Sequence, residues 1–308
     1  MKVLGIGNAI VDVLCKVDDD FLGKHSLTKS TMKLIDEMEF QNLMLELKIE
    51  ETISGGSVAN SIVGLSQLGN EVGFVGKIKD DHFGKKYEEG LKKEKVNYLY
   101  SKKNESLPTG SCLILITPDS ERTMCTFLGT AGKINDQDIS VNDIKNSDIT
   151  FLEGYLWDEG EPKKAFIKAI NNSKKVAMTL SDIFCVERHK SQFLDLVKNK
   201  LDIIFANEQE IMSLINTKKF DDVINFSKEL NRNIIITRGE KGAIAVNDEG
   251  IFECKAKENL NIADLTGAGD LFAAGYLHGV INNMNSKQSL DKGTELSSKV
   301  IQKIGARI

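Results

Sequence analysis

Ile203-Ile204-Phe205-Ala206, running straight into Asn207-Glu208-Gln209-Glu210 and followed further on by Ile234-Ile235-Ile236-Thr237, is the stretch that decides the fold class. Both apolar runs have strand length and β-branched content. Asn207 is a good N-cap, and Glu210 three positions later completes a capping box, so a helix begins where the first strand stops. Strand, helix, strand predicts a parallel crossover in a sheet covered on both faces. Working outward, Val72–Ile78, Ile149–Glu153 and Lys175–Leu180 are runs of the same kind, most of them alternating with amphipathic segments of helical length. The class is therefore α/β.

Two regions break the rhythm. Residues 13–49 are polar and irregular with short helical pieces. Ser111–Thr117 and Arg122–Leu128 flank Pro118-Asp119-Ser120-Glu121, a hairpin turn by composition. Together they suggest a small discontinuous lid over residues 13–49 and 99–129, set on a core formed by 1–12, 50–98 and 130–308. In an open parallel sheet, ligands gather outside the carboxyl ends of the strands, so chemistry is expected in the loops that follow them.

Composition excludes several classes. The 308 residues are 41% hydrophobic and 28% charged with a net charge of −5. Lysines are interleaved with acids, which argues against a nucleic-acid partner. Five scattered cysteines (Cys15, Cys112, Cys125, Cys185, Cys254) include no Cys-x-x-Cys pair and suggest buried thiols in a reducing compartment. No apolar run has membrane-spanning length, and residues 1–14, with a lone Lys and Asp12, do not resemble a targeting segment. The expectation is a cytoplasmic protein. His25, His82, His189 and His278 share no zinc-binding spacing, and no Gly-x-Ser-x-Gly elbow is present.

The strongest chemical signal is Asp264-Leu265-Thr266-Gly267-Ala268-Gly269-Asp270, followed at once by the apolar helix Leu271-Phe272-Ala273-Ala274-Gly275-Tyr276-Leu277. A helix N-terminus exposes unpaired N–H groups, and small residues let a phosphate approach them, which makes Gly267, Ala268 and Gly269 an anion cradle. Asp270, in the first turn, reads either as a carboxylate favoured by the helix dipole or as a general base set beside that cradle. A second glycine-rich helix start, Ser54-Gly55-Gly56-Ser57-Val58-Ala59-Asn60, admits a ligand closely and offers the Asn60 amide, or is a simple turn.

Gly5-Ile6-Gly7-Asn8 lacks the third glycine of a dinucleotide fingerprint, so a nicotinamide oxidoreductase is disfavoured; Asn8 and Asp12 suit a substrate with several hydroxyls. Asn207 and Glu210 read as a cap or as groups holding a hydrated Mg²⁺. Thr237-Arg238-Gly239-Glu240-Lys241-Gly242 reads as a nucleotide loop or a hairpin connection.

In order along the chain, the Gly55-Gly56 segment, Asn207–Glu210, Thr237–Gly242 and Asp264–Asp270 resemble the motifs of the ribokinase-like, or PfkB, carbohydrate kinase family. The segment from Gly55 to Gly84, with Asn60, Gly69, Gly76, Asp80 and Phe83-Gly84, is similar to its other signature. The resemblance implies a Rossmann-like three-layer αβα core with a β-rich lid, MgATP as phosphoryl donor and a nucleoside or sugar alcohol as acceptor. It implies Asp270 as base, Gly267, Ala268 and Gly269 as anion hole, Asn8, Asp12, Gly55, Gly56, Ser57 and Asn60 as acceptor-binding residues, and Asn207, Thr237, Gly239 and Gly242 around the nucleotide. Glu210 would organise Mg²⁺ through water.

The adenosine kinase-like branch is most similar, through Asn8 and Asp12, the long lid insertion, and Gly56-Ser57 with Asn60. Arg122 falls where that branch has an arginine near the transferring phosphate, a role its fork of donors suits. Glu153, by contrast, resembles a sugar-kinase pattern. Tyr155 and Trp157 are candidates to stack on a base or to join the core. Family members occur as monomers or homodimers joined by lid edges, and either state is compatible with the sequence.

Overall fold

A computed structural model describes residues 1–101, 104–119, 121–157 and 160–308. In chain order the strands are β1 (Val3–Ile6), β2 (Ile10–Lys16), β3 (Met32–Leu34), β4 (Ile49–Gly55), β5 (Val72–Val75), β6 (Asn97–Tyr98), β7 (Gly110–Ile116), β8 (Arg122–Phe127), β9 (Ile149–Glu153), β10 (Val176–Thr179), β11 (Ile203–Asn207), β12 (Asn233–Thr237), β13 (Ala243–Asn247) and β14 (Gly250–Cys254). The helices are α1 (Asp19–Lys24), α2 (Glu37–Glu46), α3 (Ser57–Gln67), α4 (His82–Lys93), α5 (Val141–Lys145), α6 (Glu161–Asn172), α7 (Ile183–Asn199), α8 (Glu208–Leu214), α9 (Phe220–Leu230), α10 (Ala268–Ile281) and α11 (Ser286–Val300).

Nine strands form one sheet in the order β14-β13-β12-β11-β10-β9-β1-β5-β6. Pairing is parallel from β6 to β12 and antiparallel through β13 and β14. Side chains alternate across it, as strand geometry demands. Val3, Phe151, Ile203 and Phe205 pack with α3, α10 and α11, while Leu4, Leu152, Ile204 and Ala206 pack with α6, α7 and α8 on the other face. Helices thus cover both sides, giving the expected three layers. The five runs read as strands are all present and parallel, although Val72–Ile78 shortens to β5, Val72–Val75.

A second sheet has the order β3-β8-β7-β2-β4. Its β7–β8 hairpin pairs Ile116 with Arg122, and the Thr117 N–H donates to the Glu121 carbonyl at 3.0 Å; Ser120 of the expected turn lies outside the described residues. The region 13–49 contains α1, α2 and β3, and also carries most of β2, a strand not anticipated there. Likewise β4 was hidden by Glu50 and Glu51, which face solvent on an edge strand and interrupt its apolar pattern. Both β2 and β4 cross the positions, 12/13 and 49/50, at which the sequence suggested domain boundaries. All five cysteines are free and buried, and among the described residues no helix is long and apolar enough to cross a membrane.

Candidate active site

The chain passes from the first sheet to the second through Gly7-Asn8-Ala9 and returns through Gly56 into α3. Strand β9 ends between these crossings at Glu153, which is only 1% exposed. Its carboxylate accepts from the Asn8 N–H (3.3 Å), Asn8 Nδ2 (2.8 Å) and the Val58 N–H (3.1 Å). The last of these closes the first turn of α3, where Gly56, at φ 99°, can offer no capping side chain. A Cβ on Gly7 would lie 2.5 Å from Glu153 Oε2, and one on Gly5 would lie 2.5 Å from Ile62 Cγ1. These two glycines therefore make room for a carboxylate and a helix. A strand, not a helix, follows them, so the context of a dinucleotide turn is missing.

Asp270 sits in the first turn of α10. Ser57 Oγ donates to its Oδ1 at 2.6 Å and Asn60 Nδ2 to its Oδ2 at 2.9 Å, while Ser61 Oγ donates to its main-chain carbonyl at 2.8 Å. The two glycine-rich helix starts are thereby locked together. The N-cap of α10 is Gly267 at φ 77°, a left-handed conformation that glycine adopts without strain, and no side chain caps the helix. The Ala268 N–H donates to the Leu265 carbonyl at 3.2 Å, and with no side-chain cap the positive end of the helix dipole lies beside Asp270. Desolvation raises the Asp270 carboxyl to about 6, held from going higher by Ser57, Asn60 and the charge of Arg307.

Asp12 lies within β2 instead of leaving a strand, opposite Ile53 and Cys112. A Cβ on Gly55 would come within 2.3 Å of Asp12 Oδ2, so the glycine is required for this carboxylate to stand where it does. Desolvation raises Asp12 to about 7 against the pull of Arg307 and Arg122, and Glu153 likewise reaches about 7. Arg122, at the start of β8, pairs through Nη1 with Asp264 Oδ2 at 2.7 Å, tying the second sheet to the loop before α10.

Asn207, Glu210, Thr237, Gly239 and Gly242 form a separate group at the carboxyl ends of β11 and β12, where Asn207 and Thr237 are in register. The capping box is present in full: Asn207 Oδ1 accepts from the Glu210 N–H, Glu210 Oε2 accepts from the Asn207 N–H, and Asn207 Nδ2 donates to Glu210 Oε1 at 2.6 Å. Burial raises Glu210 to about 7. Thr237 through Gly242 connects β12 to antiparallel β13, so this loop is a hairpin connection whatever else it binds. Arg238 donates to Glu208 at 2.9 Å and stacks 3.7 Å from the Phe220 ring centroid, which braces it against α8.

Trp157 is a core residue, packed edge-on against Phe166 and Phe193, whereas Tyr155 is 37% exposed. Among residues that motif reading missed, Arg307 stands out: its Nε donates to Asn60 Oδ1 at 3.3 Å. The segment after α11 returns to the site, with the Gly305 N–H donating to Asp264 Oδ2 at 2.8 Å and Ala306 filling the space where a Cβ on Gly267 would project. No local pattern marks these positions in the sequence.

Comparison with known proteins gives the family. Residues 12–308 match the model of the pfkB family carbohydrate kinases. The chain belongs to that family. As a pfkB kinase it is an ATP-dependent carbohydrate or nucleoside kinase, and its adenosine kinase-like features have counterparts. It is 25% identical to the adenosine kinase of Saccharomyces cerevisiae over 325 residues, covering 97% of this chain and 94% of that one. The crystal structure of adenosine kinase from Sinorhizobium meliloti superposes with a TM-score of 0.91 at 33% identity, covering 100% of this pfkB chain and 95% of the other. A probable sugar kinase protein from Rhizobium etli CFN 42 is similar at 33% identity and TM-score 0.89, covering 99% and 94%.

Proposed function

We propose that this pfkB kinase transfers the γ-phosphoryl group of ATP to the hydroxymethyl group of adenosine, yielding AMP and ADP. One observation carries the mechanism: Asp270, held by Ser57 and Asn60, stands in the uncapped first turn of α10. In this reading the carboxylate takes the proton from the acceptor hydroxyl as it attacks, while N–H groups of Gly267, Ala268 and Gly269 meet charge on the transferring group. Arg122 adds a cation from the lid, formed by residues 13–49 and 99–129. Asn8, Asp12, Gly55, Gly56, Ser57 and Asn60 face the acceptor; Asn207, Thr237, Gly239 and Gly242 face the nucleotide.

Among the described residues no group of three or more His, Cys, Asp or Glu could hold a metal directly. Both Glu210 oxygens are occupied by Asn207. That donor set fits Mg²⁺, which keeps most of its waters and binds through few carboxylates plus substrate phosphates. When bound, the ion would neutralise phosphate charge, with Glu210 ordering its water shell. Glu210 and Asn207 otherwise fix the start of α8.

The extent of similarity to adenosine kinases supports adenosine as acceptor. The similar Rhizobium etli protein favours a sugar as second reading, with the same mechanism on another alcohol. A panel of adenosine, other nucleosides, ribose, fructose and sugar phosphates, assayed for ADP release with MgATP and acceptor-free controls, separates them. Turnover confined to adenosine is the expected outcome. Turnover only on a sugar moves the substrate, and silence throughout favours a nucleotide-binding homologue without catalysis.

A further inference from the structure

Three carboxylates, Asp12, Glu153 and Asp270, crowd the crossing between the sheets, and each is pushed up by desolvation. Such a cluster needs a cation, and Arg307 enters it from the segment after α11. Its Nε–H donates to Asn60 Oδ1, and the other end of that amide, Nδ2, donates to Asp270 Oδ2. A carboxylate accepts only from the NH₂ end of an Asn amide, and Arg307, by donating to the oxygen end, holds the Asn60 amide in the orientation Asp270 requires. Arg307 Nη2 is sealed from solvent without a hydrogen-bond partner in the described residues. A guanidinium kept there with both Nη2 N–H groups unspent costs stability that an apolar side chain would not, which is the pattern of a group retained for function.

We propose that Arg307 is a positioning residue for phosphoryl transfer: through Asn60 it fixes the amide that holds Asp270, and it sets a positive charge near that carboxylate. The inference rests on Asp270 being the base. The charged and titratable groups facing Arg307 are Tyr87, Asp12, Glu94 and Asp270, and Arg122 also acts on Asp12 from the lid sheet. Glu153 feels Asp270, with Asn8 and Val58 as its direct partners. Removing a cation from this set makes ionisation harder, so the Asp270 carboxyl must titrate at higher pH without Arg307.

The test is a carboxyl-carbon NMR titration of the full chain carrying labelled aspartate, with Asp270 assigned by its loss in Asp270→Asn. The variants are Arg307→Met, Arg307→Gln and Arg307→Lys, each checked by thermal melting, and the acid limb of kcat against pH is followed in parallel. We expect the Asp270 midpoint to rise by about one pH unit in Met and Gln and to stay within about 0.3 unit in Lys, the scale of losing one nearby charge. The limb of kcat should move with it.

An unmoved midpoint in Met and Gln overturns the proposal, as does a fall in kcat equal at every pH. Should the Met variant fail to fold, Gln and Lys carry the comparison, and a Lys midpoint as high as that of Gln overturns the role of the charge. The titration is read without turnover. A shifted carboxyl in a protein silent on every acceptor would therefore overturn the kinase reading while leaving the coupling to Arg307 in place, and active wild type with unmoved midpoints would do the reverse.

Discussion

Asp270 must be ionised to accept a proton yet must stand out of water, and its neighbours reconcile the two demands. Desolvation pushes the carboxyl up, and two donors and a guanidinium hold it to about 6. A base with that value is largely ionised at pH 7.5 and binds a proton more readily than an ordinary aspartate. Asp270→Asn should keep the fold and lower kcat by at least ~10²-fold, the scale for losing a positioned general base. Steady-state kinetics beside a melting curve measure both, and full activity would remove Asp270 from the role. Gly55 gives a second case, because a methyl there would lie 2.3 Å from Asp12 Oδ2 while its own backbone is unstrained. The clash falls on the carboxylate. Gly55→Ala should raise the acceptor KM by about tenfold, and adding it to Asp12→Asn should cost little more, since both act on one contact. Fully additive effects on KM would disconnect the two residues.

At the scale of elements, the two sheets are tied by Arg122 of β8 and Asp264 ahead of α10, with side chains 14% and 8% exposed. The pair is enclosed enough to matter, and breaking one side leaves a charge in a poor environment. A double-mutant cycle with Arg122→Ala and Asp264→Ala should show a coupling of about 1–2 kcal/mol in melting stability, within the range for residues in direct contact. A coupling indistinguishable from zero would make the link incidental. The central strands were legible because they are buried on both faces and so read as unbroken apolar runs. The edges were not. In β4 the exposed Glu50 and Glu51, and in β14 the outward Ile251 and Glu253, follow solvent on one side, which a search for buried parallel strands passes over. The start of α8 was legible in Asn207 and Glu210, because a capping box is written within a single helical turn.

For the molecule as a whole, the site is assembled from contacts that no window of sequence contains: Glu153 reaches Val58 across 95 positions and Arg307 reaches Asn60 across 247. Glycine-rich helix starts announced themselves locally, whereas the groups that hold them together had to be seen in space. That assembly concentrates carboxyls whose folded values exceed their ordinary ones, Asp12, Glu153 and Glu210 at about 7 and Asp270 at about 6. Between their ordinary values and these, the folded state binds more protons than the unfolded one, so stability falls as pH rises from about 4 to 7. His278, held below its ordinary value, opposes them over part of that range, and Asp119 and Glu295, both at about 2, oppose them at its acid end and below. Because the total mixes these signs, the decisive quantity is a difference between proteins. Asp270→Asn removes one desolvated ionisation and leaves the other groups in place, so its stability relative to wild type should be about 1 kcal/mol more favourable at pH 7.5 than at pH 5. Denaturant unfolding of both proteins at the two pH values measures that difference, and a gap that is flat or reversed would mean Asp270 is not held above its ordinary range in the folded state.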